Sequence, residues 1–376
     1  MSESSIDQLS QEDLLERLAN ELGPDLKPCT PEHGIQRYLK KRRSELTENT
    51  LTEYERKLSR YGQYLDRNGI EDLRELDGRT LDDMIAWRRY DSTDEVEELA
   101  TKTIRDDLFV LRNWVQYLED IDAVTPDLSN SISIPDLRDG DGVRDVDMDP
   151  ERVERVLDYL ATFEYASLDH VIWALTAGTG RRTGCLIALD CDDTHLADEA
   201  PFLEFSHRPE TETRLKNCEQ SEGHVALTPA QADVIRDYLT NTRPDVEDDH
   251  GREPLLATSH GRISNSTFRR CIYRWSRPCS IGTDCPHDRD PEACEANRSS
   301  DDASKCPSSR SPHTLRHGFI TDARRNGVPI DLLSDRCDVT EEVIRKYYDE
   351  TTEEERREVR RQILDKHANE NGGGYL

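Results

Sequence analysis

The sequence predicts a mainly α-helical protein with one small antiparallel β-sheet. Three observations predict it. From Pro31 to Leu118 apolar residues recur at spacings of three and four, the period of a half-buried helix. Helical patterns return after Pro150 and run almost to the end of the chain. Between them, only residues 202–205 and 224–227 read as strands, and a polar turn separates them.

Taken in order, residues 1–27 form a polar lead-in. Residues 28–125 form a helical domain of about four helices. The clearest helix spans residues 50–68, where Leu51, Tyr54, Leu58, Tyr61 and Leu65 build one stripe. Thr50 and Glu53 suit a capping box at its start, and Gly69 a left-handed close at its end. A second helix carries Ile104, Leu108, Leu111, Val115 and Leu118. Residues 126–149 read as an acidic linker containing Gly140 and Gly142. Val143 stands where a calcium loop needs an oxygen ligand, so the segment reads as a solvated hinge. Residues 150–366 form the second domain. Its expected helices cover residues 151–162, 168–177, 229–239, 265–275, 313–326, 341–348 and 353–366, and residues 367–376 form a flexible tail.

The 376 residues include 79 acidic and 50 basic ones, for a net charge of −29, and only nine of the basic residues are lysine. Such a surface suits molar salt, where screening makes self-repulsion tolerable. A disordered acidic chain is excluded by the helical periodicity. No stretch approaches the roughly 18 consecutive apolar residues of a membrane span, and the first residues lack the layout of a signal peptide. A cytoplasmic protein is the expectation. In a reduced compartment its ten cysteines suit metal ligands or buried thiols rather than disulfides.

Four constellations carry chemistry. Ser311-Pro312 suits a helix start, which sets His313 and Arg316 on one face as an anion site; alone, it reads equally as a solvated polar turn. Thr179-Gly180-Arg181-Arg182 follows a buried-looking helix. Two arginines there need anionic partners, either a carboxylate in the fold or a bound phosphate. Lys216 stands alone between Lys102 and Lys305 in a chain that otherwise prefers arginine. Lysine can give up a proton where arginine cannot, so it is a candidate general acid, or else an ordinary surface lysine. Tyr347 and Tyr348 end a late helix, where a phenol can be packing or a nucleophile beside cations.

In this order the four elements resemble the tyrosine recombinase (phage integrase, Xer-like) family, in a halophilic archaeal form. The resemblance spans roughly residues 30–365. It implies a helical core-binding domain followed by a catalytic domain. It also implies site-specific DNA cleavage and rejoining through a 3′-phosphotyrosine. Tyr348 would be the nucleophile, with Tyr347 as the alternative. Arg182 and Arg316 would clamp the phosphate, His313 would act as base or phosphate donor, and Lys216 would protonate the leaving oxygen. No cofactor is implied for catalysis. Two departures stand out: Cys185 occupies a position where the family usually has Glu, and the usual Leu-Gly-His box reads Leu333-Ser334-Asp335-Arg336-Cys337-Asp338. Arg336 is the expected substitute donor. These departures keep open a catalytically impaired relative that acts as a DNA-binding regulator. The implied partner is double-stranded DNA, bound by a tetramer on paired sites, with no membrane.

For DNA backbone contacts the candidates are Arg37, Lys40, Lys41, Arg42, Arg43, Arg88, Arg89, Lys102, Arg105 and Arg112, or else these are solvated helix faces with ion pairs. A Cys-rich insertion, residues 277–308, holds Cys279, Cys285, Cys294 and Cys306, with His287 as an alternative ligand. Four thiolates could organise it around structural zinc, with an interaction module as the rival function.

Overall fold

The computed structural model describes residues 25–138, 148–197 and 199–348, together with Arg357 and Arg361. The expected lead-in, the centre of the acidic linker, the last polar helix and the tail lie largely outside the described residues. The chain divides into two compact units, Met1–Arg144 and Asp145–Leu376.

The first unit packs four helices: α1 (Pro31–Arg42), α2 (Glu48–Arg67), α3 (Gly78–Tyr90) and α4 (Thr101–Asp120). Each of the first three starts on a side-chain cap. Thr30 accepts from His33 N, Thr47 from Thr50 N, and Asp77 from Thr80 N. The cap of α2 is therefore Thr47, three residues before the expected Thr50. At its other end Gly69 is left-handed, with φ +70°. The stripe Leu58, Tyr61, Leu65 meets Leu108, Leu111, Trp114, Val115 and Leu118 of α4 in one buried core. This core continues past the expected domain boundary at residue 125. Leu128 and Ile132 are buried in it. Ser129 N donates to Glu119 Oε1 (2.6 Å), and Arg112 donates to the Ile132 carbonyl.

The second unit begins with α5 (Pro150–Phe163), α6 (Leu168–Thr179) and the short α7 (Thr183–Ala188). Strands β1 (Thr194–His195), β2 (Phe202–Phe205) and β3 (Gly223–Ala226) form an antiparallel sheet in that order, with Phe202 opposite Ala226 and Phe205 opposite Gly223. Then come α8 (Pro229–Asp237), a two-stranded ribbon of β4 (Ala257–Thr258) and β5 (Gly261–Arg262), and α9 (Asn265–Trp275). The unit's last described helices are α10 (Pro312–Arg325), α11 (Ile330–Cys337) and α12 (Glu341–Tyr347). Its main core gathers Trp173, Leu186, Leu203, Phe205, Phe268 and Ile272. A second cluster under α10–α12 holds Ile320, Leu333, Cys337, Val339, Ile344 and Tyr348.

The Cys-rich insertion is organised by ordinary polar and apolar contacts. Arg277 donates to the Ala296 carbonyl and to Asn297 Oδ1, both at 2.5 Å. His287 pairs with Ser308 Oγ at 2.8 Å. Ala296, Ala303 and Cys306 are buried. The four cysteines and His287 do line one narrow cavity. Among the described residues, however, no three His, Cys, Asp or Glu side chains are grouped so as to hold a metal ion. Structural zinc is therefore not supported among the described residues. Of the other cysteines, Cys218 departs from expectation by being exposed.

Candidate active site

The site is assembled from three stretches of the second unit. The first is the turn after α6. Gly180 ends that helix at φ +65°, and a Cβ there would come within 2.5 Å of Phe319 and 2.8 Å of Cys337 Sγ. Only glycine fits both the backbone and the space. The turn delivers Arg181 and Arg182 in opposite roles. Arg181 is buried, donates to the Ser221 carbonyl (2.9 Å), and lies over the Phe205 ring. Arg182 caps α7, remains partly exposed, and its guanidinium meets the Asp338 carboxylate.

The second stretch is α10. Ser311 accepts from Thr314 N and Pro312 opens the helix, as the sequence pattern predicts. Arg316, one turn in, is 4% exposed. It donates to the carbonyls of Gly180 (2.7 Å), Cys337 (2.6 Å) and Asp338 (3.3 Å). These acceptors are neutral carbonyls, and no carboxylate bonds the guanidinium directly among the described residues. Burial, and then the neighbouring Arg182, push its pKa down. His313 sits exposed on the first turn of α10.

The third stretch is the C-terminal pair α11–α12. Tyr348 follows α12 and is buried, its ring 4.6 Å from that of His317. Its pKa is raised on balance, because burial outweighs the downward pull of the nearby Arg316 and Arg182 charges. Tyr347, one residue earlier, is 42% exposed, with Lys346 over its ring. Burial pushes the adjacent Cys337 thiol up to about 11, so it stays protonated at neutral pH.

The structure thus brings Arg182, Arg316 and Tyr348 together. The Arg336 guanidinium, near Arg181 and Cys337, donates to the carbonyls of Gly178 (2.7 Å) and Ala226 (3.1 Å). Lys216 is exposed in the loop between β2 and β3 and forms no hydrogen bond or ion pair among the described residues. Its neighbour Asn217 reaches Asp338 Oδ1 at 3.1 Å, so the loop carrying the lysine is tied to the site. Sequence reading missed Asp338, Ser221 and Asn217. The signal for Asp338 was faint, an acidic residue closing a short helix in a left-handed turn.

In the first unit the cationic candidates divide. Arg88 is buried and paired with Asp107 at 2.7 Å, and Lys57 reaches the same carboxylate at 3.3 Å. Arg88 is thus held in an ion pair inside the fold. Arg105 and Arg112 hold the carbonyls of Pro135 and Ile132. Arg42 pairs with Glu45 (2.5 Å), Arg89 with Glu98 (2.6 Å) and Lys41 with Asp120 (3.9 Å). Arg37 is exposed and donates to Tyr117 Oη (3.1 Å). Lys40, Arg43 and Lys102 are exposed and without ion pairs among the described residues.

The chain is thus a helical unit followed by a helical unit with a small antiparallel sheet, the second closing on a tyrosine beside two arginines. Comparison with known proteins shows what this arrangement is similar to. Residues 35–120 match the phage integrase N-terminal SAM-like domain. Tyrosine recombinase XerD of Corynebacterium glutamicum is 21% identical over 318 residues, covering 84% of this chain and 91% of that protein. The Tn1549 transposon integrase, solved with a circular intermediate DNA, superposes with a TM-score of 0.60 at 14% identity, over 89% of this chain and 99% of that one. The XerH site-specific recombinase, in a post-cleavage complex, gives 0.58 at 13% identity, over 97% and 90%. These findings support the tyrosine recombinase family. Among the described residues no helix is long and apolar enough to cross a membrane.

Proposed function

We propose that this protein is a site-specific DNA recombinase that cleaves and rejoins strands through a 3′-phosphotyrosine. One observation carries the proposal: Tyr348, not Tyr347, is buried against Arg316 and within reach of the charge of Arg182. A phenol is a poor nucleophile at neutral pH unless its anion is stabilised, and adjacent guanidinium groups do that. Tyr348 oxygen attacks phosphorus, and the bond to the 5′ oxygen breaks. Arg182 and Arg316 bind the non-bridging oxygens as negative charge builds. His313 takes the phenolic proton, and Lys216 gives one to the departing 5′ oxygen. The new ester conserves the bond energy, so attack by a 5′-hydroxyl restores the strand and the phenol. Double-stranded DNA is the substrate, recombination pairs two sites within a tetramer, and Lys40, Arg43, Lys102 and Arg37 contact backbone phosphates.

The test uses a nicked suicide substrate in molar salt, where the acidic surface suits the fold. Wild type and Tyr347→Phe form a covalent protein–DNA adduct, and Tyr348→Phe forms none. An adduct that survives Tyr348→Phe, or a wild type that never forms one while binding DNA, overturns the proposal.

A further inference from the structure

We propose that Asp338 is a positioning residue of this site, its carboxylate setting Arg182 and the Lys216 loop in one fixed arrangement. The inference rests on the function proposed above. Asp338 is the first residue after α11, in the left-handed conformation at φ +52°. It is 9% exposed, yet its side chain collects three donors from distant parts of the chain. Oδ2 accepts from Arg182 and from Ser221 Oγ (2.7 Å), and Oδ1 accepts from Asn217 Nδ2 (3.1 Å). Its own carbonyl accepts from Arg316. One residue therefore touches both phosphate-clamping arginines and the neighbour of the candidate general acid.

The geometry gives this contact work beyond stability. Arg182 stands at the edge of the cluster, and its side chain is the only one of the four arginines there that bonds a carboxylate among the described residues. Without that bond the guanidinium has several rotamers open to it. Ser221 and Asn217 flank the exposed stretch after Lys216, so the same carboxylate limits where the lysine loop can sit. A carboxylate beside an incoming phosphate repels it, so Asp338 does not help the DNA bind. What it supplies is alignment, and misalignment of a catalytic contact lowers rate far more than affinity.

Asp338→Asn is the discriminating variant, because Asn also tolerates the left-handed turn and keeps the size. Two readouts are taken. In single-turnover reactions on the suicide substrate, Asp338→Asn cleaves about 10- to 100-fold more slowly than wild type while its Kd for uncleaved DNA moves less than about twofold. In the DNA-free protein, the 15N–1H guanidinium signals of Arg182, assigned by their loss in Arg182→Lys, show restricted rotation that Asp338→Asn releases. An unchanged cleavage rate overturns the inference. So does a parallel fall of rate, affinity and melting temperature, which would make Asp338 a fold residue only. So does tighter DNA binding at an undiminished rate, which would make the carboxylate an occupant of the phosphate's place. If wild type forms no adduct yet the Arg182 signals respond as expected, the positioning contact stands and the recombinase reading falls.

Discussion

Two clusters of arginine in the second unit differ in how they are neutralised, and the difference separates a site from a scaffold. Around Asp190, the arginines Arg208, Arg252 and Arg262 meet the carboxylates of Asp190, Asp193 and Asp248. Three cations face three anions, and the cluster joins the β4–β5 ribbon to the turn before β1. Around Arg316, the four arginines Arg181, Arg182, Arg316 and Arg336 bond one carboxylate, that of Asp338, among the described residues. Their other hydrogen bonds go to backbone carbonyls, and Arg181 Nε is buried without a partner among the described residues. Burying charge without a counter-ion is unfavourable, so an unbalanced cluster persists only where the fold over-determines it, and on the proposed function an incoming phosphate would complete it. In a chain with a net charge of −29, a local excess of positive charge is a marked exception.

The sharpest way to break this contrast is to remove one arginine from each cluster. Arg316→Ala leaves three carbonyls without their donor and withdraws a charge from the developing phosphorane. Adduct formation per folded molecule falls about 10²- to 10³-fold, measured by single-turnover cleavage. Arg262→Ala destabilises the fold instead, and adduct formation per folded molecule stays within about twofold of wild type. If the two variants behaved alike, counting counter-ions would not distinguish site from scaffold.

The balanced cluster gives the next effect in size. Asp190→Asn leaves three guanidinium groups with a diminished partner. It lowers unfolding free energy by about 3 kcal/mol, read from denaturant melts in constant high salt. Asp338→Asn, in the unbalanced cluster, changes the melt much less, because carbonyls already hold most of that cluster.

How much of this was legible in the sequence follows the range of the interactions. Local patterns were readable: the stripe of α2, the Ser311-Pro312 start of α10, and strand β2 stand where spacing placed them. Arg182 and Arg316 could be nominated because each belongs to a short run with its own turn chemistry. Asp338 could not, since it meets Arg182 across 156 residues and no local pattern encodes that meeting. The acceptors of Arg336, the carbonyls of Gly178 and Ala226, were unreadable for the same reason. Helices α7 and α11 are short enough that periodicity hardly registers, and tertiary packing rather than propensity sets them. In the insertion, cysteine identity suggested a metal, whereas the bonds of Arg277 and His287 give the loop its observed order.

The smallest effect carries the same contrast to the first unit. There Arg88 is buried against Asp107, while Lys40 and Arg43 point to solvent without ion pairs among the described residues. A neutralised arginine should matter to folding and a bare cation to phosphate. Replacing Lys40 and Arg43 together by alanine should lower the slope of log K against log salt by about 2 for duplex DNA, with little change in melting temperature. Arg88→Ala should do the reverse, lowering the melt and leaving the slope of the folded fraction unchanged. A slope that follows Arg88 rather than Lys40 and Arg43 would mean that exposure without a partner does not identify the DNA-facing cations of this unit.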